Sequence, residues 1–257
     1  GARTYFDRDT FCCPNNYRRI MAELPGMICY RAKDGVAVNL YTQSTARIAL
    51  DGGRTVTIQQ ETEYPTSGHV RIVVTPSEAM EFPLYVRIWG WCAKVTMALN
   101  DQPPVEVSPR RDFHEIRRVW NPGDAVTLAM DLPWRLVRGR KTQEGRAALM
   151  RGPVVYCIGT ANNAALAEKY PNLGDLILDP ASLGAPVADT SVRPGGLKVS
   201  AKAWPPESEP NGVAPLDVVL TEFVDPSGVT TYFRVADLSV AVDDELMDKK
   251  NESEKVE

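Results

Sequence analysis

Two adjacent cysteines stand immediately before a proline, Cys12-Cys13-Pro14. Cysteine does its chemistry as the thiolate, either as a nucleophile or as a zinc ligand, so what matters is whether the surroundings favour loss of the proton. Downstream, Tyr17, Ile20, Met21 and Leu24 recur at i, i+3, i+4 and i+7, the spacing of an amphipathic helix. Pro14 suits the first helical position, where its missing N–H costs nothing, and Pro25-Gly26 stops the helix about three turns later. The spacing thus puts both thiols at a helix N-terminus, where unpaired N–H groups and the positive end of the macrodipole favour thiolate. Zinc normally takes four ligands, and two neighbouring cysteines supply part of that set. Nothing nearby completes it: His69 and His114 lie far along the chain, and there is no second cysteine pair. A pair of structural thiols and a vicinal disulfide are the plain alternatives, and spacing alone leaves them open.

The remaining chemical side chains read more quietly. Cys29, Cys92 and Cys157 each sit singly in apolar, strand-like sequence, where cysteine behaves as a small buried hydrophobe. Five cysteines is an odd and sparse count for a disulfide scaffold, so free thiols and a reducing compartment are mildly favoured. Trp89 and Trp91 are two apart on an expected strand and would share one face, as a sugar-stacking platform requires and as a core also provides; the core is favoured. Asn15 and Asn16 could reach a sugar hydroxyl beside Cys12 or bond to the helix start. Glu23 reads as an exposed helix residue, His69 and His114 as surface residues, and Asp124 as turn chemistry. Arg110-Arg111 and Arg117-Arg118 give only local positive charge.

The elements that would position the pair change character at Met27, where the period becomes two. Val36, Val38 and Leu40 alternate with Ala37, Asn39 and Tyr41, and strands are expected at 46–50, 54–61, 69–75, 84–90, 94–99, 115–119 and 125–130. Asp34-Gly35 and Asp51-Gly52-Gly53 read as hairpin turns, and Asn121-Pro122-Gly123-Asp124 as a tight turn. Past Pro133 the pattern weakens and returns at 146–158; a short helix capped by Asn162 or Asn163, a long loop over 179–215, and a hairpin of 216–224 with 229–235 follow. The expected organisation is a helical region over 1–26, a β-sandwich over 27–133, a smaller β-domain over 134–242, and a charged, frayed tail over 243–257.

Composition narrows the functions. The chain has 257 residues, 44% hydrophobic and 24% charged, enough for a sizeable core. Lys+Arg at 29 against Asp+Glu at 33 gives a net charge of -4, with no basic block to meet a phosphate backbone, so nucleic acid is not an expected partner. No apolar run approaches the ~20 residues that span a bilayer, and no membrane partner is expected. The first residues are too polar for a signal peptide and do not include an initiator Met, so a piece of a longer polypeptide is expected.

Several motifs in fixed order say more than any one. Phe11-Cys12-Cys13-Pro14-Asn15-Asn16-Tyr17-Arg18-Arg19, Gly35-Val36-Ala37-Val38-Asn39-Leu40-Tyr41 and Val86-Arg87-Ile88-Trp89-Gly90-Trp91 closely resemble glycoside hydrolase family 127. So do Arg118-Val119-Trp120-Asn121-Pro122-Gly123-Asp124 and the segment from Gly145 to Cys157. The resemblance implies a mainly β chain, with β-sandwich domains preceded by the last helix of a truncated (α/α)6 barrel. It further implies a zinc-dependent retaining glycosidase of the β-L-arabinofuranosidase type. Cys12 would be the nucleophile and a zinc ligand and Cys13 a second zinc ligand, with a Glu, a third Cys and the acid/base glutamate supplied from upstream. An arabinose-containing or related glycan is the implied partner, and a homodimer through the β-domains is a further expectation. Asn15 departs from the family's usual second proline but leaves both thiols in place.

Two other functions compete. One is a non-catalytic carbohydrate-binding or assembly module, resting on Trp89 and Trp91. The other is a thiol redox protein, which ranks last because adjacent cysteines lack the Cys-x-x-Cys spacing.

Overall fold

A computed structural model describes residues 12–108, 112–206 and 213–243. The side chains of Cys12, Cys13 and Pro14, Arg110-Arg111, and the tail beyond 243 fall outside the described set. The chain divides between Leu132 and Pro133 into two compact units.

The first unit opens with helix α1 (Cys12–Glu23), followed by a 3-10 turn over Leu24–Met27 that takes in Pro25 and Gly26. Ten strands follow: β1 (Cys29–Arg31), β2 (Val36–Val38), β3 (Ser44–Ala49), β4 (Thr55–Thr62), β5 (His69–Pro76), β6 (Met80–Arg87), β7 (Val95–Leu99), β8 (Val105–Val107), β9 (Phe113–Trp120) and β10 (Asp124–Met130). They form a four-stranded sheet in the order β1-β2-β6-β9 and a six-stranded sheet in the order β3-β4-β5-β10-β7-β8. Within the first sheet only β2 and β6 run parallel, Val36 opposite Leu84 and Val38 opposite Val86.

Period two explains the burial. Along β4 and β5, Val56, Ile58, Val70, Ile72 and Val74 point inward and are fully buried, while Gln59 and His69 face out. The inward residues of both sheets, among them Val36, Leu84, Trp120, Ile58, Ile72 and Leu128, form one core cluster. Asn121 to Asp124 carries the chain from β9 in one sheet to β10 in the other. Gly123 takes φ +93 there and the Asp124 carboxylate accepts the Asn121 N–H at 2.9 Å. That N–H, with Asn100 and Arg118, holds the Asp124 carboxyl below the usual range, as turn chemistry requires. Gly35 ends the β1–β2 turn where an added Cβ would lie 2.1 Å from the Pro83 carbonyl oxygen, so only glycine fits.

The second unit contains β11 (Trp134–Arg138), β12 (Ala147–Arg151), β13 (Val154–Gly159), α2 (Ala164–Lys169), β14 (Ile177–Asp179), β15 (Val187–Ala188), β16 (Leu197–Trp204), β17 (Leu216–Glu222), β18 (Gly228–Thr230) and β19 (Tyr232–Val235). Its pairings run β12-β19-β14-β16-β17-β13, and β13 pairs back to β12 across the Gly152-Pro153 turn, closing a ring. Closure leaves those strands without free edges. The core inside includes Leu149, Tyr156, Ile158, Leu178, Val199, Leu220 and Phe233.

Three expectations for this unit are corrected. The stretch 179–215 is not a loop: β16 occupies its middle and pairs with both β14 and β17. Its inward residues are Val199, Ala201 and Ala203, too small to give a strong alternating signal. The segments 216–224 and 229–235 do not form a hairpin with each other. β17 and β18 both pair with β13, because Asp225 takes the Thr221 hydroxyl at 2.7 Å and the Ser227 N–H at 2.7 Å and turns the chain there. Asn163 precedes α2 but its side chain does not cap it. It is buried between strands, its amide donating to Gly159 at 2.8 Å and Val219 at 2.9 Å and accepting from the Val219 N–H at 2.9 Å.

Candidate functional site

The backbone of Cys12 and Cys13 forms the first turn of α1, as the helical spacing implied. The apolar stripe of that helix and the start of the turn after it lies open: Tyr17 is 66% exposed, Ile20 44%, Met21 46% and Leu24 38%. A stripe of this kind is what a helix buries when it packs. Asn15, Asn16 and Glu23 are exposed as well.

The connection from α1 to the four-stranded sheet is made at Met27 and Ile28. The Ile28 carbonyl accepts the N–H of Asn39 at 2.8 Å and of Leu40 at 3.2 Å. The Asn39 amide donates to the Met27 carbonyl at 3.0 Å, and its oxygen accepts from Arg87 Nη1 at 2.7 Å. The Arg87 guanidinium lies 4.4 Å from the Trp89 ring centre and 5.6 Å from that of Phe113. The Arg87 carbonyl accepts the hydroxyl of Tyr41, a buried side chain.

Cys92 and Cys157 are buried, as expected. Cys29 is only partly buried against the core, yet burial still pushes its thiol up to about 11, so it stays protonated near neutrality. In the folded chain at pH 8, Cys29, Cys92 and Cys157 should therefore resist iodoacetamide and react only after denaturation. Peptide mass mapping reads this directly, and rapid native labelling of any of the three would contradict the assignment.

Trp89 and Trp91 do not share a strand face. They lie in the turn beyond β6, where Gly90 breaks the alternation, and their rings stack at 6.3 Å and 14°. Both are partly buried against the core, and Trp89 is further engaged by Arg87. A stacking platform needs an open ring face, and the packing favours the core reading. His69 is exposed and lines a 310 Å³ cleft with Gln43, Glu61, Thr62, Glu63 and Ser67. Among the described residues no three His, Cys, Asp or Glu side chains gather as a metal site. Thiolates suit zinc, and the side chains of Cys12 and Cys13 lie outside the described residues. Among the described residues no helix is long and apolar enough to cross a membrane.

An exposed network lies at the β1–β2 turn. Arg117 bonds Asp34 at 2.7 Å and Glu115 at 2.9 Å, and the Tyr85 hydroxyl donates to Asp34 at 3.2 Å. Arg117 holds the Asp34 carboxyl below its ordinary range. All of these groups are solvent-accessible, so the network is worth little to stability.

Residues 35–132, from the end of the β1–β2 turn to the last residue of the first unit, match the family model described as Beta-L-arabinofuranosidase, GH127 middle domain. This match covers the whole run of strands from β2 to β10. The non-reducing end β-L-arabinofuranosidase of Bifidobacterium longum subsp. longum is 32% identical to it over 174 residues, covering 64% of this chain and 24% of that protein. The crystal structure of a GH127 β-L-arabinofuranosidase from Geobacillus stearothermophilus T6 superposes with a TM-score of 0.72 at 29% identity, covering 87% of this chain and 37% of that one. A further GH127 β-arabinofuranosidase structure, at 23% identity and a TM-score of 0.70 over 90% of this chain, shares the fold. The resemblance to family 127 and the mainly β architecture are thus both borne out. The chain spans about a quarter of the curated relative's length, 24%.

Proposed function

We propose that this chain belongs to a retaining glycoside hydrolase acting on β-L-arabinofuranosides or related glycans, and that it supplies the cysteine nucleophile and the β-domains that carry it. The observation that carries the reading is the Cys12-Cys13 pair at the start of α1, directly upstream of the family 127 middle domain. The bare apolar stripe of α1 supports a second part: the helix is the last of an (α/α)6 barrel whose other helices cover Tyr17, Ile20, Met21 and Leu24.

In this reading the Cys12 thiolate attacks the anomeric carbon. A carbon–sulfur bond forms, the glycosidic carbon–oxygen bond breaks, and the departing oxygen takes a proton from a carboxylic acid contributed by the barrel. The same carboxylate then takes a proton from water, which displaces the thiolate and returns the enzyme with retained configuration. The positive end of α1 helps to hold Cys12 and Cys13 deprotonated. Zinc, held by both cysteines together with barrel ligands, would supply further charge to keep the sulfurs anionic.

The test compares this chain with a longer polypeptide that adds an N-terminal barrel. The longer form should release L-arabinose from a β-L-arabinofuranoside and bind one zinc per chain. This chain alone should do neither, because it lacks the acid/base and the remaining ligands. Hydrolysis by this chain alone, or zinc-free turnover by the longer one, would overturn the reading.

A further inference from the structure

We infer that Arg87 is a positioning residue for the Cys12–Cys13 pair, acting through Asn39 on the joint between α1 and the sheet; the inference rests on the function proposed above. The apolar stripe exposed here is the face that the proposed barrel would cover, and the sheet holds the helix at its other end. Its path is set where Met27 and Ile28 enter the sheet, and both carbonyls there are held by Asn39: Met27 by the side-chain amide at 3.0 Å, Ile28 by the backbone N–H at 2.8 Å.

An asparagine amide can present its NH2 or its oxygen in a given direction, and its neighbours decide which. Arg87 has donors and no acceptor, so its 2.7 Å bond to Asn39 Oδ1 leaves the NH2 group facing Met27. Arg87 is itself held by the Trp89 and Phe113 rings beside its guanidinium and by Tyr41 on its carbonyl. The two motif segments containing Asn39 with Tyr41 and Arg87 with Trp89 therefore meet each other and the end of the cysteine helix.

The lever is long. At 1.5 Å per residue the 12-residue helix is about 18 Å long, and the 3-10 turn over Leu24–Met27 separates it from the joint, so a tilt of about 10° there moves its first turn by at least about 3 Å. A misplacement of about 1 Å at a reacting atom costs on the order of 100-fold in rate. A modest loosening at Met27 would thus be felt at Cys12.

Hydrogen exchange on this chain tests the joint without relying on activity. Arg87→Ala should speed exchange of the Ile28, Asn39 and Leu40 amides by about tenfold or more, while the β4 and β5 amides change by less than about twofold. Asn39→Asp keeps a partner for Arg87 but removes the donor to Met27, and should loosen the same amides. Arg87→Lys keeps one donor and the charge, and should restore part of the protection. In the longer polypeptide Arg87→Ala should lower kcat by about 100-fold with KM little changed. Uniform loosening of the unit, or no change at the joint, overturns the inference. Inactivity of the unsubstituted longer polypeptide would instead remove the enzymatic reading beneath it, and the exchange pattern tells the two failures apart.

Discussion

Replacing Cys12 by Ser in the longer, barrel-containing polypeptide should reduce kcat by on the order of 10⁴-fold or more while leaving the fold intact. The two side chains differ by one atom, but the thiol of cysteine ionises near pH 8.5 and a helix N-terminus lowers that further. A serine hydroxyl has no such access to its anion and would need a general base to make it a nucleophile. Cys13→Ser should behave differently. It removes a proposed metal ligand and not the attacking atom, so lost zinc affinity should accompany its loss of rate, and added zinc should restore part of the activity. Turnover in Cys12→Ser equal to the unsubstituted enzyme would refute the nucleophile assignment. A covalent sugar adduct trapped on Cys12, seen by peptide mass spectrometry, would be the positive counterpart.

What was legible in the sequence follows the range of the physics involved. The strands expected at 54–61 and 69–75 are found at 55–62 and 69–76, because each has one buried face and reads as period two without reference to anything distant. The helix behind the cysteine pair was legible for the same local reason. β16 was not, since an inward face of one valine and two alanines looks like loop until its neighbours are known. The pairing of β17 and β18 with β13 was closed to sequence reading, because register between distant segments leaves no local trace. The two-residue spacing of Trp89 and Trp91 reads as strand, but the chain turns at the glycine between them. At the site, residue types and order identified Cys12 and Cys13. The Arg87–Asn39 bond joins residues 48 apart, and no spacing rule reports it. The signal that could have found it is the recurrence of an arginine and an asparagine in two separate segments that both carry the family resemblance.

Trp120→Ala should destabilise the first unit by about 4–8 kcal/mol, the largest expected effect of a single substitution on the fold. Trp120 is fully buried at the end of β9, opposite Met80 in the register with β6 and 6.0 Å from the Phe82 ring. Truncating a buried tryptophan to alanine costs about 3–5 kcal/mol through lost transfer energy and the cavity left behind. A second cost adds to this. The indole Nε1 donates to the Phe82 carbonyl at 2.9 Å, and leaving that buried acceptor unpaired costs about 1–3 kcal/mol more. Domains are stable by only about 5–15 kcal/mol, so the substitution removes much or all of the margin. Trp120→Phe separates the two contributions: it keeps most of the volume, loses the donor, and should cost about 2–3 kcal/mol. Urea unfolding of both variants gives the values. Segment-resolved hydrogen exchange then shows where the loss falls, because the core of the second unit, built around Leu149, Tyr156 and Leu220, contains no residue of the first. A Trp120→Ala midpoint within about 1 kcal/mol of the unsubstituted protein would mean that the core between the two sheets is not what holds the middle domain together.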